Sequence, residues 1–340
     1  MDYDEVLKRA RANMNGACAS CPVCNGVACG NRIPGPGAKG TGDVARRNFS
    51  AWADIRVNMD TLVENEPADT TAHLFGRTFA APVFAGPVGA VATHYGDVHN
   101  DVTYNNILVP ACAKAGIAAF TGDGVEPTVM QAATAAIRAS GGAGVPTVKP
   151  WDPETIVEKL QLVRDAGAFA VAMDVDAAGL PFLKNLEPPA GRMTAGQLAA
   201  IIASVDVPFI VKGIMTPKGA LKAAEAGAAA VIVSNHGGRV LDQCPATAEM
   251  LPEIVSALEG GDVRVLVDGG IRTGVDVFKA LAMGASGALI ARPFVNAVYG
   301  GAAEGVGMLA SRYISELSDT MEMCGAHSLA EISPDMVRLP

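Results

Sequence analysis

Eight short apolar runs, each followed by a stretch long enough for a helix, dominate the sequence between residues 80 and 295. The runs are rich in β-branched residues or alanine, and they lie at 82–86, 116–120, 145–149, 168–173, 207–212, 229–234, 263–267 and 286–291. Eight buried strands with helix-length connectors are what a parallel (β/α)8 barrel requires, although a doubly wound open sheet has a similar pattern. We therefore predict an α/β fold, with a (β/α)8 TIM barrel over residues 80–340.

Residues 1–79 lack this alternation, and we predict that they form an N-terminal extension that packs on the barrel rather than a second domain. The chain starts MDYDEVLKRARANM, which is charged and helix-like, unlike a secretory signal. No apolar run approaches the roughly 20 residues that a membrane-spanning helix needs. These features predict a cytoplasmic protein that has no membrane partner.

The composition favours a large core and argues against a nucleic-acid partner. Half of the residues are hydrophobic, 18% are charged and 38 are glycine, which suits close packing of helices on a sheet. A net charge of −9 disfavours nucleic acid or an anionic membrane as the main partner.

Polar and turn-forming residues concentrate directly after all eight runs. They lie at 86–89, 121–123, 149–151, 174–176, 212–213, 235–239, 268–272 and 291–293. Barrel enzymes build their active sites at the carboxyl ends of the strands, where eight loops converge. We therefore predict that these residues form one site at that face.

The segments after the last two runs, VDGGIRTG at 267–274 and IARP at 290–293, carry Arg272 and Arg292. Glycines let backbone N–H groups approach an anion, and arginines can bind phosphate oxygens as forks. A tight turn with surface arginines is the alternative for either segment alone. Together, at the usual phosphate position of this fold, the two segments predict a cofactor or substrate that carries phosphate.

Three further residues after the runs can carry chemistry. Lys212 follows the apolar VPFIV, where its ammonium can form a Schiff base or stabilise negative charge on a cofactor, unless it only reaches for solvent. His236 suits proton abstraction near neutral pH, and Arg239 suits a substrate carboxylate. A lone histidine would more often be structural, but the flanking glycines and the arginine favour a catalytic role.

The stretch VSNHGGRVLD, with VKG upstream and DGGIRTGVDVFKALAMGA and ARP downstream, resembles the FMN-dependent α-hydroxy acid oxidases and dehydrogenases. Glycolate oxidase, lactate oxidase and mandelate dehydrogenase belong to that family. The resemblance is dense over 205–295 and weaker near ELSDTMEMCGAHSLAEI. It is looser over 45–180, where NFSAW and APVFAGPVGA still fit.

The resemblance implies that the chain oxidises a 2-hydroxy acid to a 2-oxo acid with noncovalently bound FMN. It implies that His236 is the base, that Asp176 orients and stabilises the protonated imidazole, and that Arg239 holds the substrate carboxylate. It also implies that Lys212 lies near flavin N1 and O2, and that Asp268 binds the ribityl chain. The remaining cofactor contacts are Gly270, Arg272, Ala291 and Arg292 around the phosphate, and Pro87 and Val88 through their backbone.

The sequence departs from the family pattern at several pocket positions. Lys149 and Trp151 stand where the family usually has the Gln and Tyr of a Gln-x-Tyr motif, and Asp174 stands where it usually has Thr. The family's second substrate arginine has no clear match in the short loop at 177–191, and its N-terminal tyrosine is absent. We expect Lys149, Asp174 and Gly122 beside the flavin and Trp151 at the substrate. These changes predict a reshaped pocket and a substrate other than glycolate or lactate.

The motif CASCPVCNGVAC brings four cysteines close together in sequence, namely Cys18, Cys21, Cys24 and Cys29. Four thiolates so close together can hold a zinc ion or an iron–sulfur cluster, and the compact spacing leans to iron–sulfur. Reduced cysteines that pack a loop are the alternative. The motif leads into GNRIPGPGAKGTGD, where the family has its active-site tyrosine, so we expect the cysteines near the barrel mouth.

Three functions are compatible with the sequence. An FMN-dependent 2-hydroxy acid oxidoreductase is favoured. An FMN-dependent isomerase without net redox chemistry would need basic residues that bind a diphosphate, and the His-Gly-Gly-Arg motif speaks against it. A flavin-binding protein that has lost catalysis is disfavoured by His236, Asp176 and Arg239. The resemblance also implies a homo-oligomer, a tetramer. The cysteine motif leads us to expect an electron acceptor different from that of the familiar oxidases, although the sequence does not identify the acceptor.

Overall fold

The computed structural model of the protein describes residues 2–185 and 191–340. Its strands in chain order are β1 (Arg56–Val57), β2 (Ala72–Leu74), β3 (Arg77–Phe79), β4 (Val83–Ala85), β5 (Ala118–Thr121), β6 (Gly144–Val148), β7 (Val171–Asp174), β8 (Phe209–Ile214), β9 (Ala230–Val233), β10 (Arg264–Val267), β11 (Gly287–Ile290) and β12 (Val337–Arg338). Strands β4–β11 are parallel and form a closed barrel, in which β11 pairs with β4. This closure excludes the open sheet. The predicted (β/α)8 TIM barrel is confirmed.

Helices surround the barrel. They are α1 (Tyr3–Asn13), α2 (Asp43–Asp54), α3 (Val91–Tyr95), α4 (Asp101–Lys114), α5 (Pro127–Ala139), α6 (Pro153–Ala166), α7 (Ala195–Ile202), α8 (Pro217–Glu225), α9 (Thr247–Ala257), α10 (Gly274–Ala282) and α11 (Arg292–Met323). Several begin at a polar cap whose side chain accepts a backbone N–H, as at Asn100, Asp152 and Thr273. None of the helices in the described ranges is both long enough and apolar enough to cross a membrane.

The core has two parts, because successive side chains of a strand point to opposite faces of the barrel. One set fills the barrel interior: Phe84, Phe120, Val145, Ala172, Ile210, Ile232, Leu266 and Leu289. The other set faces the helices: Val83, Ala119, Val148, Met173, Val211, Val231, Val267 and Ile290. With both faces covered, the strands read as continuous apolar runs, which is why they are visible in the sequence.

The first 79 residues contact the barrel at several places. Helix α1 packs on α11 so closely that a Cβ on Gly300 would lie 1.9 Å from the backbone oxygen of Val6. Strand β1 pairs with β12 near the C-terminus. The β2–β3 hairpin adds Leu74 and Phe79 to the interior core, and Phe79 meets Phe84 edge-on at 5.1 Å between ring centroids. The hairpin therefore packs against the end of the barrel where the strands begin.

Candidate active site

The loop after β9 turns tightly through three residues with positive φ. His236 has φ 56°, Gly237 63° and Gly238 85°. Glycine adopts this conformation freely, whereas at His236 it costs about 1–3 kcal/mol, a strain that is typical of functional sites. A Cβ on Gly238 would also lie 2.9 Å from the Cβ atoms of Ala38 and Val44. Both the positive φ and the lack of space therefore require glycine at this position.

Two carboxylates face the imidazole of His236. Its Nδ1 lies 3.1 Å from Oδ1 of Asp176 and 3.4 Å from Oδ1 of Asp174. Asp174 ends β7, and Asp176 lies in the 3-10 turn Val175–Gly179 that follows. A Cβ on Gly213, at the end of β8, would lie 2.6 Å from Cβ of Asp176, so this glycine makes room for the carboxylate. Since carboxylates only accept, Nδ1 carries the hydrogen and Nε2 is free to take a proton.

Burial and charge act in opposite directions on these groups. Burial lowers the pKa of His236, but the carboxylates of Asp174 and Asp176 outweigh it and raise that pKa above its usual value. Burial would raise the pKa of Asp174, yet the charges of His236 and Lys212 hold it well below its usual range. Burial raises the pKa of Asp176. The protonated imidazole is therefore stabilised by an ionised Asp174 next to it.

A row of alternating positive and negative side chains lies at the carboxyl ends of β6, β7, β8 and β10. Nζ of Lys212 lies 2.9 Å from Asp174 and 3.6 Å from Asp268, and Nζ of Lys149 lies 3.6 Å from Asp174. Burial lowers the pKa of Lys212, but the surrounding carboxylates raise it above its usual value. Lys212 is 3% exposed, so it is a fixed cation at the barrel mouth rather than a side chain that reaches for solvent.

Unpartnered polar atoms lie at the predicted phosphate and ribityl positions. Nη2 of Arg272, Nη1 of Arg292 and Oδ1 of Asp268 are buried and have no hydrogen-bond partner among the described residues. A buried group left without a partner costs about 1–3 kcal/mol, more if it is charged. An anion between the guanidiniums and a hydroxyl at the carboxylate would satisfy them. These residues therefore fit the phosphate and ribityl chain of the FMN that the resemblance implies.

The Gly-Gly pair after β10 has a packing role in addition to any contact with an anion. Trp52 donates its indole N–H to the backbone oxygen of Gly269 at 2.8 Å. A Cβ on Gly270 would lie 2.0 Å from the backbone oxygen of Asn48. The pair thus lets α2 approach the strand end, which sequence reasoning did not foresee.

The predicted backbone contacts of the flavin come together at the ends of β4, β5 and β11. A Cβ on Gly122 would lie 2.3 Å from the backbone of Val88 and Gly89, and Gly86 packs against Ala291. Pro87 lies between these contacts in the same loop. The positions that the resemblance assigns to the ring and phosphate are therefore neighbours in space.

Arg239 is held by the N-terminal extension. Its Nη1 donates to the backbone oxygens of Gly35 and Gly37. Lys39 donates its backbone N–H to Gly238 at 2.8 Å and its ammonium to the backbone of the turns at Gly179 and Val240. We call residues 35–39 the mouth segment. It fixes one side of the guanidinium, and no described residue accepts from Nε, so Nε and Nη2 can still bind a carboxylate.

His94 in α3 is a site residue that the sequence analysis missed. Its Nδ1 accepts the backbone N–H of Gly35 at 3.1 Å and lies 3.5 Å from Nη2 of Arg239. Burial and the Arg239 charge lower the pKa of His94 to about 4, so the ring is neutral near pH 7. No motif marked it, because its partners lie 59 and 145 positions away in the sequence.

Trp151, which we expected at the substrate, is 9% exposed and fixed by an ion pair. Its indole N–H donates to Asp123 at 2.6 Å, and the ammonium of Lys159 donates to the other oxygen of Asp123 at 2.6 Å. The same ammonium lies 4.9 Å from the indole centroid. The indole N–H is already used, so only the ring remains for a substrate contact.

The cysteine motif forms an irregular loop beside the two arginines. Arg272 donates Nε to the backbone oxygen of Cys24 at 2.7 Å. Burial would raise the pKa of the Cys24 thiol, but Arg272 and Arg292 lower it. A cavity of about 250 Å³ beside Arg272 is lined by Cys21 and Cys24, among others. Among the described residues no three of the cysteine sulfurs lie within 4.8 Å of one another, whereas side-chain donors of Asp174, Asp176 and His236 do.

The loop at 177–191 lies only partly within the described residues. Its first part forms the 3-10 turns Val175–Gly179 and Leu183–Asn185. Residues 186–190, which are part of the loop in which the family's second substrate arginine was sought, lie outside the described residues.

Comparison with known proteins identifies the family of the chain. The chain matches the family of FMN-dependent dehydrogenases over residues 36–187 and 182–339. It is 31% identical to glycolate oxidase of Spinacia oleracea over 328 residues, which covers 84% of this chain and 85% of the relative. It is 46% identical to an L-lactate oxidase of Roseobacter sp. (strain GAI101) over 144 residues, or 42% of this chain and 39% of that protein.

Solved structures of mandelate oxidase have the same fold. One superimposes with a TM-score of 0.80 at 26% identity and covers 99% of this chain and 97% of that one. A mutant that carries a monooxide FMN adduct superimposes with a TM-score of 0.75 at 30% identity, over 90% of this chain and 94% of that one. The family match includes all eight strands of the barrel. The chain therefore belongs to the family of FMN-dependent dehydrogenases, and the predicted relationship to the α-hydroxy acid oxidases is confirmed.

Proposed function

We propose that this protein oxidises a 2-hydroxy acid to a 2-oxo acid, with His236 as the base and Arg239 as the anchor of the substrate carboxylate. The observation that carries the proposal is the single tight turn that holds both side chains. His236 is oriented by Asp176 at 3.1 Å, and Arg239 is oriented by the mouth segment. The proposed base and the proposed carboxylate anchor are therefore held three residues apart in one turn.

Oxidation of a 2-hydroxy acid to a 2-oxo acid releases two electrons and two protons, and one of these protons moves to Nε2 of His236. Nδ1 donates to Asp176, and the resulting imidazolium is stabilised by Asp176 and by Asp174, 3.4 Å away. Bound FMN would supply the acceptor for the two electrons and the second proton. Lys212 is the cation that would counter the negative charge at the ring, and Arg272 and Arg292 would hold the phosphate. Positioned acid–base catalysis of this kind contributes roughly 10²–10⁴ in rate.

Anaerobic reduction of the bound flavin tests the function. The purified protein, supplied with FMN, is mixed with a panel of 2-hydroxy acids, and the visible flavin absorbance is followed. We expect at least one acid to bleach it, while the matched acid without the 2-hydroxyl does not. A protein that stays colourless after addition of FMN, or a yellow protein that no hydroxy acid bleaches, contradicts the proposal. The second result would favour an isomerase or a catalytically inactive flavin-binding protein.

We further infer that the substrate is neither glycolate nor lactate and that the acceptor is not oxygen. The inference about the substrate is supported by Lys149 and Trp151 at the expected positions of the family's glutamine and tyrosine, and by the mouth segment in place of the N-terminal tyrosine. The inference about the acceptor is supported by the cysteine motif, whose Cys24 lies beside Arg272. The same panel of acids, followed by reoxidation in air, tests both parts. We also propose the family's tetramer, which light scattering of the purified protein tests.

The rate of flavin reduction should fall at low pH. His236 must be neutral to accept a proton, and its pKa is raised above the usual 6.5 by Asp174 and Asp176. We therefore expect the second-order rate constant for reduction to rise with pH through a midpoint above 6.5 and then level off. Asp176→Asn removes a negative charge, so it should move the midpoint to lower pH. Stopped-flow reduction across the pH range measures the midpoint of the unmodified protein and that of the variant. A midpoint at or below pH 6.5 in the unmodified protein contradicts the assignment of His236 as the base.

Binding of an iron–sulfur cluster or zinc by Cys18, Cys21, Cys24 and Cys29 stays a prediction. It is supported by the spacing of the cysteines and by their position next to Arg272. The four sulfurs would have to move closer together to share one metal. Metal analysis and visible spectroscopy of anaerobically purified protein test it, with iron indicating electron transfer and zinc a structural clip. If neither metal is present, the cysteines pack a loop.

A further inference from the structure

Asp174 lies at the centre of the charged row, where it contacts two lysines as well as His236. Its two oxygens lie 2.9 Å from the ammonium of Lys212 and 3.6 Å from that of Lys149, and it also lies 3.4 Å from Nδ1 of His236. The side chain of Asp174 is 5% exposed and that of Lys149 is 9% exposed. Buried charges at such distances interact strongly, because the surroundings screen them little.

The charges of Lys149 and Asp174 cancel. Lys212 has a second carboxylate, that of Asp268 at 3.6 Å, whereas the ion pair of Lys149 is with Asp174. Removal of Asp174 would therefore leave two ammonium groups close together, with Asp268 as the ion-pair partner of Lys212 and no ion-pair partner for Lys149 among the described residues. Removal of Lys149 would leave Asp174 to neutralise Lys212 alone. The two residues therefore have opposite effects on the net positive charge around Lys212.

We propose that Lys149 and Asp174 are a compensating ion pair that sets how readily the bound flavin is reduced. The proposal rests on the proposed function, because it requires the flavin ring to lie beside Lys212. Asp174 draws the Lys212 ammonium towards itself and reduces the positive charge presented to the ring, and Lys149 restores part of it. Both residues are positioning residues in this proposal, since they act on the ring through Lys212 and through the local charge.

The test is the midpoint potential of bound FMN in three variants. Asp174→Asn leaves excess positive charge, so the reduced flavin should be favoured at least tenfold, which is about 30 mV for a two-electron couple. Lys149→Gln leaves excess negative charge, so we expect a tenfold shift in the opposite direction. The double variant should return to within threefold of the unmodified protein. The potential is measured by equilibration with a reference dye, after FMN saturation has been confirmed by titration.

Two exposed residues provide matched controls with the same changes of charge. Asp165→Asn and Lys114→Gln should leave the potential unchanged, because both side chains are exposed on helices away from the mouth. Thermal unfolding of each variant checks that it is folded. If Asp174→Asn does not fold, Lys149→Gln and the double variant still decide the question, since they differ only in the charge of Asp174.

The outcomes separate this proposal from the proposed function. The potential is measured with chemical reductant, so it is obtained even if no hydroxy acid reduces the flavin. Single variants that shift the potential in the same direction, or that leave it unchanged with FMN bound, overturn the ion-pair proposal alone. An unmodified protein that binds no FMN overturns both. Opposite shifts that cancel in the double variant support the pair.

Discussion

Replacing His236 with alanine is expected to slow reduction of the flavin by the substrate by about 10²–10⁴, while FMN remains bound. The imidazole is the base in the proposed reaction, and its Nδ1 contacts protein carboxylates rather than the residues that would hold the phosphate or ribityl chain. FMN affinity should therefore change little. Stopped-flow reduction and fluorescence titration with FMN measure the two quantities on the same preparation.

His73→Ala is a suitable control, because this exposed histidine lies in the hairpin at the opposite end of the barrel. It should leave both the reduction rate and FMN affinity unchanged. An unchanged reduction rate in the His236 variant would mean that the base lies elsewhere. Asp174 would then be the next residue to test, since its pKa well below the usual range keeps it ionised.

Replacing Arg292 with alanine should weaken FMN binding by roughly 10- to 150-fold, because a hydrogen bond to a charged group contributes about 1.5–3 kcal/mol. Arg292 lies at the start of α11, and its Nη1 is buried without a partner among the described residues. A phosphate would supply that partner. Equilibrium titration of the apoprotein with FMN measures the effect.

Arg272→Ala should weaken binding as well, but this guanidinium also holds the backbone of Cys24 and Ile271, so the loop is disturbed at the same time. Arg292 is therefore the more direct test. Trp151→Phe is the matched comparison and should change FMN affinity less than threefold. If the Trp151 variant loses more affinity than the Arg292 variant, the phosphate does not lie between the two arginines.

The barrel could be predicted from the sequence because each strand is buried on both faces and so forms a continuous apolar run. The ends of the strands were less well defined. The run predicted at 168–173 becomes Val171–Asp174, for example, since Ala168 and Ala170 are apolar but precede the ladder. Polar residues after the strands were also visible, because they interrupt the apolar pattern at the same end each time.

Contacts between distant loops could not be predicted in this way. The mouth segment is a glycine- and proline-rich stretch whose local pattern predicts only turns, yet its carbonyl groups hold Arg239. His94 looked like an ordinary helix residue, and its neutral state depends on its burial and on the nearby charge of Arg239. Trp151 was placed at the substrate by analogy, whereas its partner Asp123 is 28 positions away. Such partners are set by the assembled barrel rather than by any local period.

The mouth segment and the cysteine loop also have a consequence for the order of folding. Arg239 and Gly35 are 204 positions apart, and Arg272 and Cys24 are 248 positions apart. Contacts between such distant residues form late, because a long stretch of chain must be ordered before they are made. The part of the chain that is synthesised first therefore docks on loops that are synthesised last. We therefore expect FMN binding during refolding to begin after the barrel has formed. Its onset would report the docking of the N-terminal extension on the loops at the barrel mouth.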